Sequence, residues 1–151
     1  MQRSVEAVKD ESYQGYRFSG KRRRMRKRDI MDLLKDTYWA KGRPWEQVKK
    51  ALRHSLPFGI FDARGNQVGL ARVLTDFSTT FYLADVVVKE DLRGSGLGKA
   101  FMAYILKDPR FCNTKGMLLT RTAHGFYEHF DFAVEPERCM LREYDKRKPE
   151  A

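Results

Sequence analysis

One stretch of the chain reads as a buried strand, a glycine-rich turn and the start of a helix. Residues 80–88, TFYLADVVV, form the longest strand candidate, and the closing valines are apolar on both faces, as in a central strand. EDLRGSGLGKAF follows at residues 90–101, with glycines at positions 94, 96 and 98. Backbone amides of such a loop, together with the N-terminus of the next helix, attract anions. The sequence therefore predicts a phosphate-binding loop.

A dinucleotide-binding loop is excluded by its spacing. The fingerprint G-x-G-x-x-G is matched by Gly94 and Gly96, but Lys99 occupies the position of the third glycine. The acidic residue expected about 20 positions later has no counterpart at residues 115–118. The short strands before the loop also differ from the start of a βαβ unit.

A nucleoside-triphosphate loop of the Walker A type is excluded as well. Its closing Gly-Lys would be Gly98 and Lys99, but the leading glycine falls on Arg93. Ala100 stands where the magnesium-binding Ser or Thr is required. The phosphate therefore belongs to another kind of ligand.

The first half of the chain predicts two helices and a hairpin. Residues 1–14 are polar and without periodicity, which predicts a flexible leader, and residues 13–20 predict a short edge strand. Ile30, Leu33, Leu34 and Tyr38 share one helical face, with Asp29 as a cap and Gly42 as the stop. Pro44 opens a second helix. FGIFD and QVGLARVLTD, separated by ARGN, indicate a β-hairpin from Pro57 onward.

The second half alternates helices and strands. The loop leads into a helix that Pro109 ends, followed by a strand at residues 116–122. A short helix is expected at residues 125–130 and a last strand at residues 139–144. This order predicts a single α/β (α+β, mixed-sheet) domain over residues 15–151.

The net charge of +10 is concentrated in the first third of the chain. Residues 1–54 hold 16 Lys and Arg against 7 Asp and Glu, whereas residues 55–151 hold 14 against 13. KRRRMRKR, at residues 21–28, is the centre of this excess. A nucleic-acid-binding module built on it is the main rival from another class. Without an accompanying nucleic-acid motif, a solvated helix lead-in or a localisation signal is the favoured interpretation.

Cysteine usage and hydropathy indicate a reduced compartment. Cys112 and Cys139 lack metal-ligand and C-x-x-C spacing, so we expect two free thiols and no metal site. No window approaches the ~18 apolar residues of a membrane span, and no secretory signal is visible. We therefore expect a cytoplasmic protein.

The loop resembles the pyrophosphate motif of the GNAT superfamily of N-acetyltransferases, (Gln/Arg)-x-x-Gly-x-(Gly/Ala). Arg93, Gly96 and Gly98 carry this match, directly after Val86-Val87-Val88. HGFYEHFDF resembles the later family segment in which a tyrosine, here Tyr127, lies on a short helix. The resemblance runs from about residue 38 to residue 144. YWAKGRPWE and LARVLTDFSTTFYLADVVV are also similar to a bacterial branch without an assigned acceptor.

The resemblance implies a GNAT-like fold and direct transfer of an acetyl group from acetyl-CoA to an amine, without a metal. It implies that pantetheine pairs with the backbone of Val86 and Val88, and that an N–H near Val87 stabilises the oxyanion. The implied coenzyme-binding residues are Val86, Val87, Val88, Arg93, Gly94, Ser95, Gly96, Leu97, Gly98 and Lys99.

The implied reaction needs an acid and a base, for which the sequence offers two main candidates. Tyr127 is the expected acid that protonates the leaving thiolate, with core packing as its alternative. Asp85 interrupts an apolar strand, where a carboxylate is costly unless it is functional or paired. It could act as a base through water, hold a cationic substrate, or form a salt bridge with Arg72. His124 is a further candidate base, with a capping or surface role as its alternative.

The acceptor pocket is expected in the helical first third and the hairpin, and the acceptor class stays open between a small-molecule amine and a peptide amine. The residues proposed for this pocket are Tyr38, Trp39, Arg43, Phe58 and Phe77. A homodimer, an acyl group other than acetyl, and a coenzyme A sensor without catalysis are alternatives that the sequence does not resolve.

The chain departs from the family pattern at two positions. Asp131 stands at a position where the family commonly has glycine, and aspartate tolerates a left-handed backbone. An asparagine that often binds pantetheine has no counterpart near residues 121–122. We expect the turn at Asp131 to be kept and one pantetheine hydrogen bond to be lost.

Overall fold

The computed structural model describes residues 5–143. Within them, residues 5–120 and residues 121–143 form two compact units. The first unit is built on a six-stranded sheet whose spatial order is the chain order, antiparallel except for a parallel last pair. Its strands are β1 (Glu11–Tyr13), β2 (Tyr16–Ser19), β3 (Leu56–Phe61), β4 (Gln67–Thr75), β5 (Thr80–Val88) and β6 (Lys115–Leu118).

Three α-helices belong to the first unit and one to the second. They are α1 (Lys27–Leu34), α2 (Trp45–Arg53), α3 (Leu97–Leu106) and, in the second unit, α4 (His124–Glu128). Pro44 is the N-cap of α2, as predicted. Helix α1 ends well before Gly42, because the Leu34 carbonyl accepts both the backbone amide and the hydroxyl of Thr37.

The two faces of the sheet carry different helices. On one face, α1 and α2 bury Ile30 and Val48 against Leu70 of β4 and Val87 of β5. On the other face, aromatic rings link the sheet to α3. Rings of Phe18 and Phe101 stack with centroids 5.5 Å apart, and Phe18 and Phe58 contact Tyr104 at 5.5 and 6.2 Å. The predicted mixed α/β fold is confirmed.

The N-terminal part differs from its prediction. Residues 11–13 are not a flexible leader, because β1 pairs with β2 through a turn at Gln14 and Gly15. Both turn residues have positive φ, 46° and 85°, which suits the right-handed twist of a hairpin. The predicted edge strand over residues 13–20 is therefore split into a hairpin, and β1 forms the edge of the sheet.

The C-terminal part confirms one expectation and corrects two. Asp131 has the expected left-handed backbone, with φ of 65°. Strand β6 stops at Leu118, short of the predicted Thr122. The predicted last strand is wrong over residues 139–143, where Met140 and Leu141 are exposed and pair with no described strand. Its final residue, Tyr144, lies outside the described residues.

Three further properties were determined for residues 5–143. No helix among them is both long and apolar enough to cross a membrane. Nor does this part of the chain contain a cluster of three His, Cys, Asp or Glu residues that could hold a metal ion. Both cysteines are free and exposed.

Candidate active site

A β-bulge interrupts β5 in the middle of its pairing with β4. Ala84 lies opposite Arg72 and Val87 lies opposite Leu70, so two residues, Asp85 and Val86, span the position of one residue on β4. Asp85 takes a left-handed backbone, φ 50°, which aspartate tolerates better than most residues. The bulge turns the Asp85 carboxylate towards the same side as Arg72.

Beyond the bulge, β5 has an open edge, by which we mean the side of Ala84–Val88 away from β4. Strand β6 pairs with β5 only over Thr80–Leu83, and among the described residues no other strand continues that pairing. Lys89 donates its amide to the Val68 carbonyl at 2.9 Å. Because backbone groups alternate along a strand, Val87 then faces β4, while Val86 and Val88 face the open edge.

Arg93 already contacts this edge. Its Nε donates a hydrogen bond to the Val88 carbonyl oxygen at 3.1 Å. Arg93 is itself exposed. The first residue of the glycine motif therefore ties the loop to the strand that precedes it.

The glycine loop curls where its sequence permits positive φ. Gly94 and Gly96 have φ of 78° and 83°, and Gly96 is the N-cap of α3. The first helical hydrogen bond runs from the Ala100 amide to the Gly96 carbonyl, 3.1 Å. The amides of residues 97–99 precede it and have no carbonyl acceptor within the helix. The first turn of α3 contains no acidic side chain.

This loop has the features of an anion-binding site. The Leu97 amide donates to Ser95 Oγ at 3.4 Å, whereas the Gly98 and Lys99 amides have no acceptor within the helix, and no carboxylate in that turn competes for the positive end of α3. Leu97 is buried and anchors the helix start, so only its backbone is available to a ligand. Ser95 donates its hydroxyl to the Leu92 carbonyl at 2.6 Å, which closes the turn before the helix. The sequence prediction of an anion-binding loop is consistent with this geometry.

The Asp85 carboxylate is enclosed by three donors. Arg72 Nε lies 2.7 Å from Oδ2, and Arg43 Nη1 lies 3.1 Å from Oδ1 and 3.0 Å from Oδ2. Trp39 Nε1 donates to Oδ1 at 2.9 Å. Only 4% of the Asp85 side chain is exposed, against 26% for Arg43. The salt bridge to Arg72, one of the alternatives raised by the sequence, is present.

The sequence does not predict the partners of Asp85 that come from the α1–α2 connection. The sequence suggests Arg43 and Trp39 only as pocket residues. Both lie more than 40 positions from Asp85 in the chain, and no local pattern predicts their contacts with it. Nearby, burial raises the pKa of Tyr82, and the charge of Asp85 adds to the effect while Arg72 opposes it. The signal available in the sequence was an aspartate that interrupts an apolar strand, together with Arg72 in the preceding strand.

The proposed acceptor residues do not all reach the surface. Tyr38, Trp39 and Phe77 are exposed, and the rings of Tyr38 and Trp39 meet edge to face at 4.9 Å. Phe58 is fully buried and contacts Phe111 at 6.2 Å. Its predicted place in the acceptor pocket is therefore wrong, because its side chain faces the α3 side of the sheet.

The second unit contains the predicted acid. Tyr127 lies on α4, is 9% exposed, and packs edge to face against Phe126 at 5.0 Å and Phe132 at 5.9 Å. The Tyr127 carbonyl accepts the amides of Phe130 and Phe132, which folds the chain back after the helix. His124 is exposed in the first turn of α4.

Comparison with known families agrees with this arrangement. A family model described as "Acetyltransferase (GNAT) domain" matches residues 56–134, more than half of the chain and the whole run from β3 to α4. The chain belongs to the GNAT family. The open edge of β5 and the glycine loop both lie inside the matched residues.

Individual relatives show the same likeness. "Uncharacterized N-acetyltransferase ycf52" of Gracilaria tenuistipitata is 31% identical over 115 residues, which cover 72% of this chain and 63% of the relative. "Serotonin N-acetyltransferase 2, chloroplastic" of rice is 31% identical over 98 residues, 61% of this chain and 49% of the relative. The chain thus spans less than two thirds of either relative.

A solved structure matches over more of its length. A Xanthomonas campestris protein belonging to the GNAT family superposes with a TM-score of 0.80 at 35% identity, covering 85% of this chain and 93% of that one. The fold and the family are therefore supported by sequence and by structure alike.

Proposed function

We propose that this chain transfers an acetyl group from acetyl-CoA to an amine. The observation that carries the proposal is the continuity of two binding elements, since β5 presents an open edge and then runs directly into the anion-binding loop. A ligand with a peptide-like arm at one end and a diphosphate at the other suits this succession. Acetyl-CoA has that form and supplies an acetyl thioester.

The strand would hold the amide-containing arm through its backbone. Val86 and Val88 face the open edge, so their amides and carbonyls can pair with an added extended segment. Val87 contributes its side chain to the core and its backbone to β4. Because Arg93 bonds to the Val88 carbonyl, pairing at that carbonyl requires the arginine to move or to share it.

The loop would hold the diphosphate. The backbone amides of residues 94–96 and 98–99 would bind it together with the positive end of the α3 dipole, and Arg93 and Lys99 add two exposed positive charges. For the oxyanion that forms during transfer, we assign the open-edge amides on either side of Val87, because preorganised backbone donors stabilise such a charge well.

Tyr127 would act as the general acid. A phenol with a pKa near ~10 lies close enough to a thiol at ~8.5 to protonate the leaving thiolate. The family resemblance of HGFYEHFDF supports this assignment. Its edge-to-face contacts with Phe126 and Phe132 hold the ring in one orientation within the second unit.

For Asp85 we propose a positioning role in place of the general base. Its carboxylate accepts from two arginines and one indole, and proton removal would have to break these contacts. The same contacts fasten the α1–α2 connection, with its exposed Tyr38 and Trp39 rings, to the bulge of β5. The acceptor amine would then lose its proton to water.

The acceptor is an amine on a small molecule or a peptide, and we propose that nucleic acid is not the substrate. Arg22, Arg24 and Arg26 of the basic run bond to Leu52 and Ser55 carbonyls, to Asp10, and to Asn66, respectively. Lys21 also pairs with Asp10 and Lys27 lies over the Trp45 ring, so five of the seven basic residues of the run make contacts within the fold. A cytoplasmic location, a homodimer and a strictly acetyl donor stay predictions.

The test is thiol release from acetyl-CoA with a panel of amines, including aromatic amines, amino acids, peptides and polyamines. The proposal predicts amine-dependent release that a matched loop variant, Gly96→Ala, greatly reduces. A protein that binds coenzyme A but releases no thiol with any amine would support the sensor alternative. A protein that does not bind coenzyme A would contradict the proposal.

A further inference from the structure

The hydroxyl of Tyr13 lies beside the glycine loop, although the two are more than 80 residues apart in sequence. A Cβ placed on Gly96 would be 3.6 Å from Tyr13 Oη, within ordinary contact distance. Tyr13 is the last residue of β1 and lies outside the residues 56–134 matched by the family model. The N-terminal hairpin therefore brings a polar group to the N-cap of α3.

Aromatic packing holds the tyrosine in this place. Its ring stacks on Phe18, with centroids 5.8 Å apart and an interplanar angle of 18°. Phe18 in turn stacks on Phe101 of α3. An ion pair between Glu11 and Lys107 fastens β1 to the other end of the same helix. The hydroxyl is thus positioned by rigid elements and not by a loose terminus.

The Tyr13 hydroxyl lies beside the residue that caps the N-terminus of α3. Within residues 5–143, no hydrogen-bond partner is found for Tyr13 Oη, which is half-buried. Gly96 opens the first turn of α3, in which the Gly98 and Lys99 amides have no acceptor within the helix and the Leu97 amide donates to Ser95 Oγ at 3.4 Å. The first turn of α3 contains no acidic side chain that could accept hydrogen bonds from these amides or from the Tyr13 hydroxyl. A phenol hydroxyl beside such donors is best satisfied by an anionic acceptor.

We propose that Tyr13 is a coenzyme-binding residue, whose hydroxyl donates a hydrogen bond to a phosphate oxygen of the coenzyme A diphosphate. This inference rests on the proposed function, because it assumes that the loop binds that diphosphate. It adds a side-chain donor, from outside the family-matched domain, to a site otherwise made of backbone amides.

The test compares Tyr13→Phe with the wild-type protein by direct titration of coenzyme A. Phenylalanine keeps the stacking on Phe18 and removes only the hydroxyl, so the fold should be retained. A lost hydrogen bond to a charged group weakens binding by about tenfold. Tyr16→Phe is the matched control, because Tyr16 pairs directly with Tyr13 across the hairpin. We expect it to leave the affinity unchanged.

A second ligand separates a phosphate contact from a general effect. Pantetheine lacks the diphosphate, so its weaker binding should be equal in wild-type protein and in Tyr13→Phe. Wild-type affinity for coenzyme A in Tyr13→Phe, or an equal loss for both ligands, would overturn the inference and leave the proposed function intact. If the wild-type protein does not bind coenzyme A, the proposed function fails and this inference with it.

Discussion

Arg72 Nε donates to Asp85 Oδ2 across 2.7 Å, and this ion pair lies at the bulge of β5, within the segment Ala84–Val88 that forms the open edge. Only 11% of the Arg72 side chain and 4% of the Asp85 side chain are exposed. A buried charge that loses its partner is strongly destabilising, whereas the pair itself contributes specificity of geometry more than stability. Arg43 and Trp39 donate to the same carboxylate, so their positions depend on the bulge that presents Asp85.

Asp85→Asn should destabilise the protein, but it should not remove a group that takes part in acetyl transfer itself. Asparagine tolerates the left-handed backbone, but it leaves two arginines without a charged partner, a change worth about 3 kcal/mol. The free energy of unfolding, measured with urea, should fall by that amount. The pH dependence of kcat should keep its shape.

The contrary result would restore Asp85 as the base. If Asp85→Asn kept wild-type stability but lost kcat by about 10²-fold or more, together with the acidic limb of the pH profile, the positioning role would be wrong. Arg43→Lys is the companion variant, because it keeps one charge near the carboxylate and removes the two-oxygen contact.

Tyr127→Phe should lower kcat by about 10²-fold with little effect on coenzyme A affinity. The ring contacts with Phe126 and Phe132 do not need the hydroxyl, so the second unit should keep its fold. The thiolate of a more acidic thiol can leave without being protonated, so an acetyl thioester of such a thiol should recover much of the lost rate. Undiminished turnover of acetyl-CoA by this variant would exclude Tyr127 as the acid.

Gly96→Ala should impair both stability and coenzyme A binding. Its φ of 83° costs a residue with a Cβ about 1–2 kcal/mol, and relaxation of the backbone would turn the amides away from the anion. Gly65→Ala is the matched control, since Gly65 in the β3–β4 turn has φ of 82° and, as at Gly96, an added Cβ would make no contact shorter than ordinary van der Waals distance. We expect similar losses of stability but a loss of affinity only for Gly96→Ala. Equal affinities would argue against the loop as the binding site.

The strand, the loop and the helix start were predictable because their signals are local. The bounds of β5 coincide with the apolar stretch, and glycines stand where the backbone needs positive φ. The hairpin of β3 and β4 follows from two apolar segments around a turn. Asp131 was predictable for the same reason, since its own φ decides which residues fit.

The features that sequence reasoning missed depend on distant partners. Phe58 is aromatic and near the expected pocket, but the pairing of β3 with β4 places it on the buried α3 side. The Asp85 cluster joins residues from a helix connection and two strands, and nothing in the local sequence of Arg43 specifies that contact. Residues 139–143 begin with a short apolar run that is compatible with a strand, yet pairing also requires an edge that can accept them.

Two neighbouring arginines of the basic run should behave differently. Arg22 donates to the carbonyls of Leu52 and Ser55, both at 2.5 Å, and so caps the C-terminal end of α2. Arg23 is exposed and makes no ion pair with any residue of 5–143. Arg22→Ala should lower the unfolding free energy by about 1.5 kcal/mol, whereas Arg23→Ala should change it by less than about 0.5 kcal/mol.

Heparin retention provides the complementary measurement. Each variant removes one positive charge, so both should elute at slightly lower salt by a similar step. Strong, sequence-selective nucleic-acid binding that either variant abolishes would contradict the view that this run has a mainly structural and solvated role.

Asp76 should contribute to stability in a pH-dependent way. Its carboxylate accepts the amides of Ser78, Thr79 and Thr80 in the β4–β5 turn, and these hydrogen bonds, with the Thr79 hydroxyl as the strongest, hold its pKa well below the usual range. A lowered folded-state pKa means that the stability is present above the unfolded-state pKa and is lost as the pH falls towards the folded-state pKa.

Thermal unfolding from pH 6 down to pH 2 tests this directly. Asp76→Asn should unfold at a lower temperature than wild type at pH 6, and the difference should shrink as the medium becomes acidic. A difference that stays constant across this range would show that the carboxylate charge does not matter to the turn.

The most direct test of the account uses acetyl-CoA with an isotopically labelled acetyl group and a panel of primary amines, with mass spectrometry of the products. Acetyl transfer predicts that one amine gains one labelled acetyl group for every thiol released, and that Gly96→Ala suppresses both signals together. Thiol release without a labelled amide, or no coenzyme A binding at all, would contradict the assignment of this chain as an amine acetyltransferase.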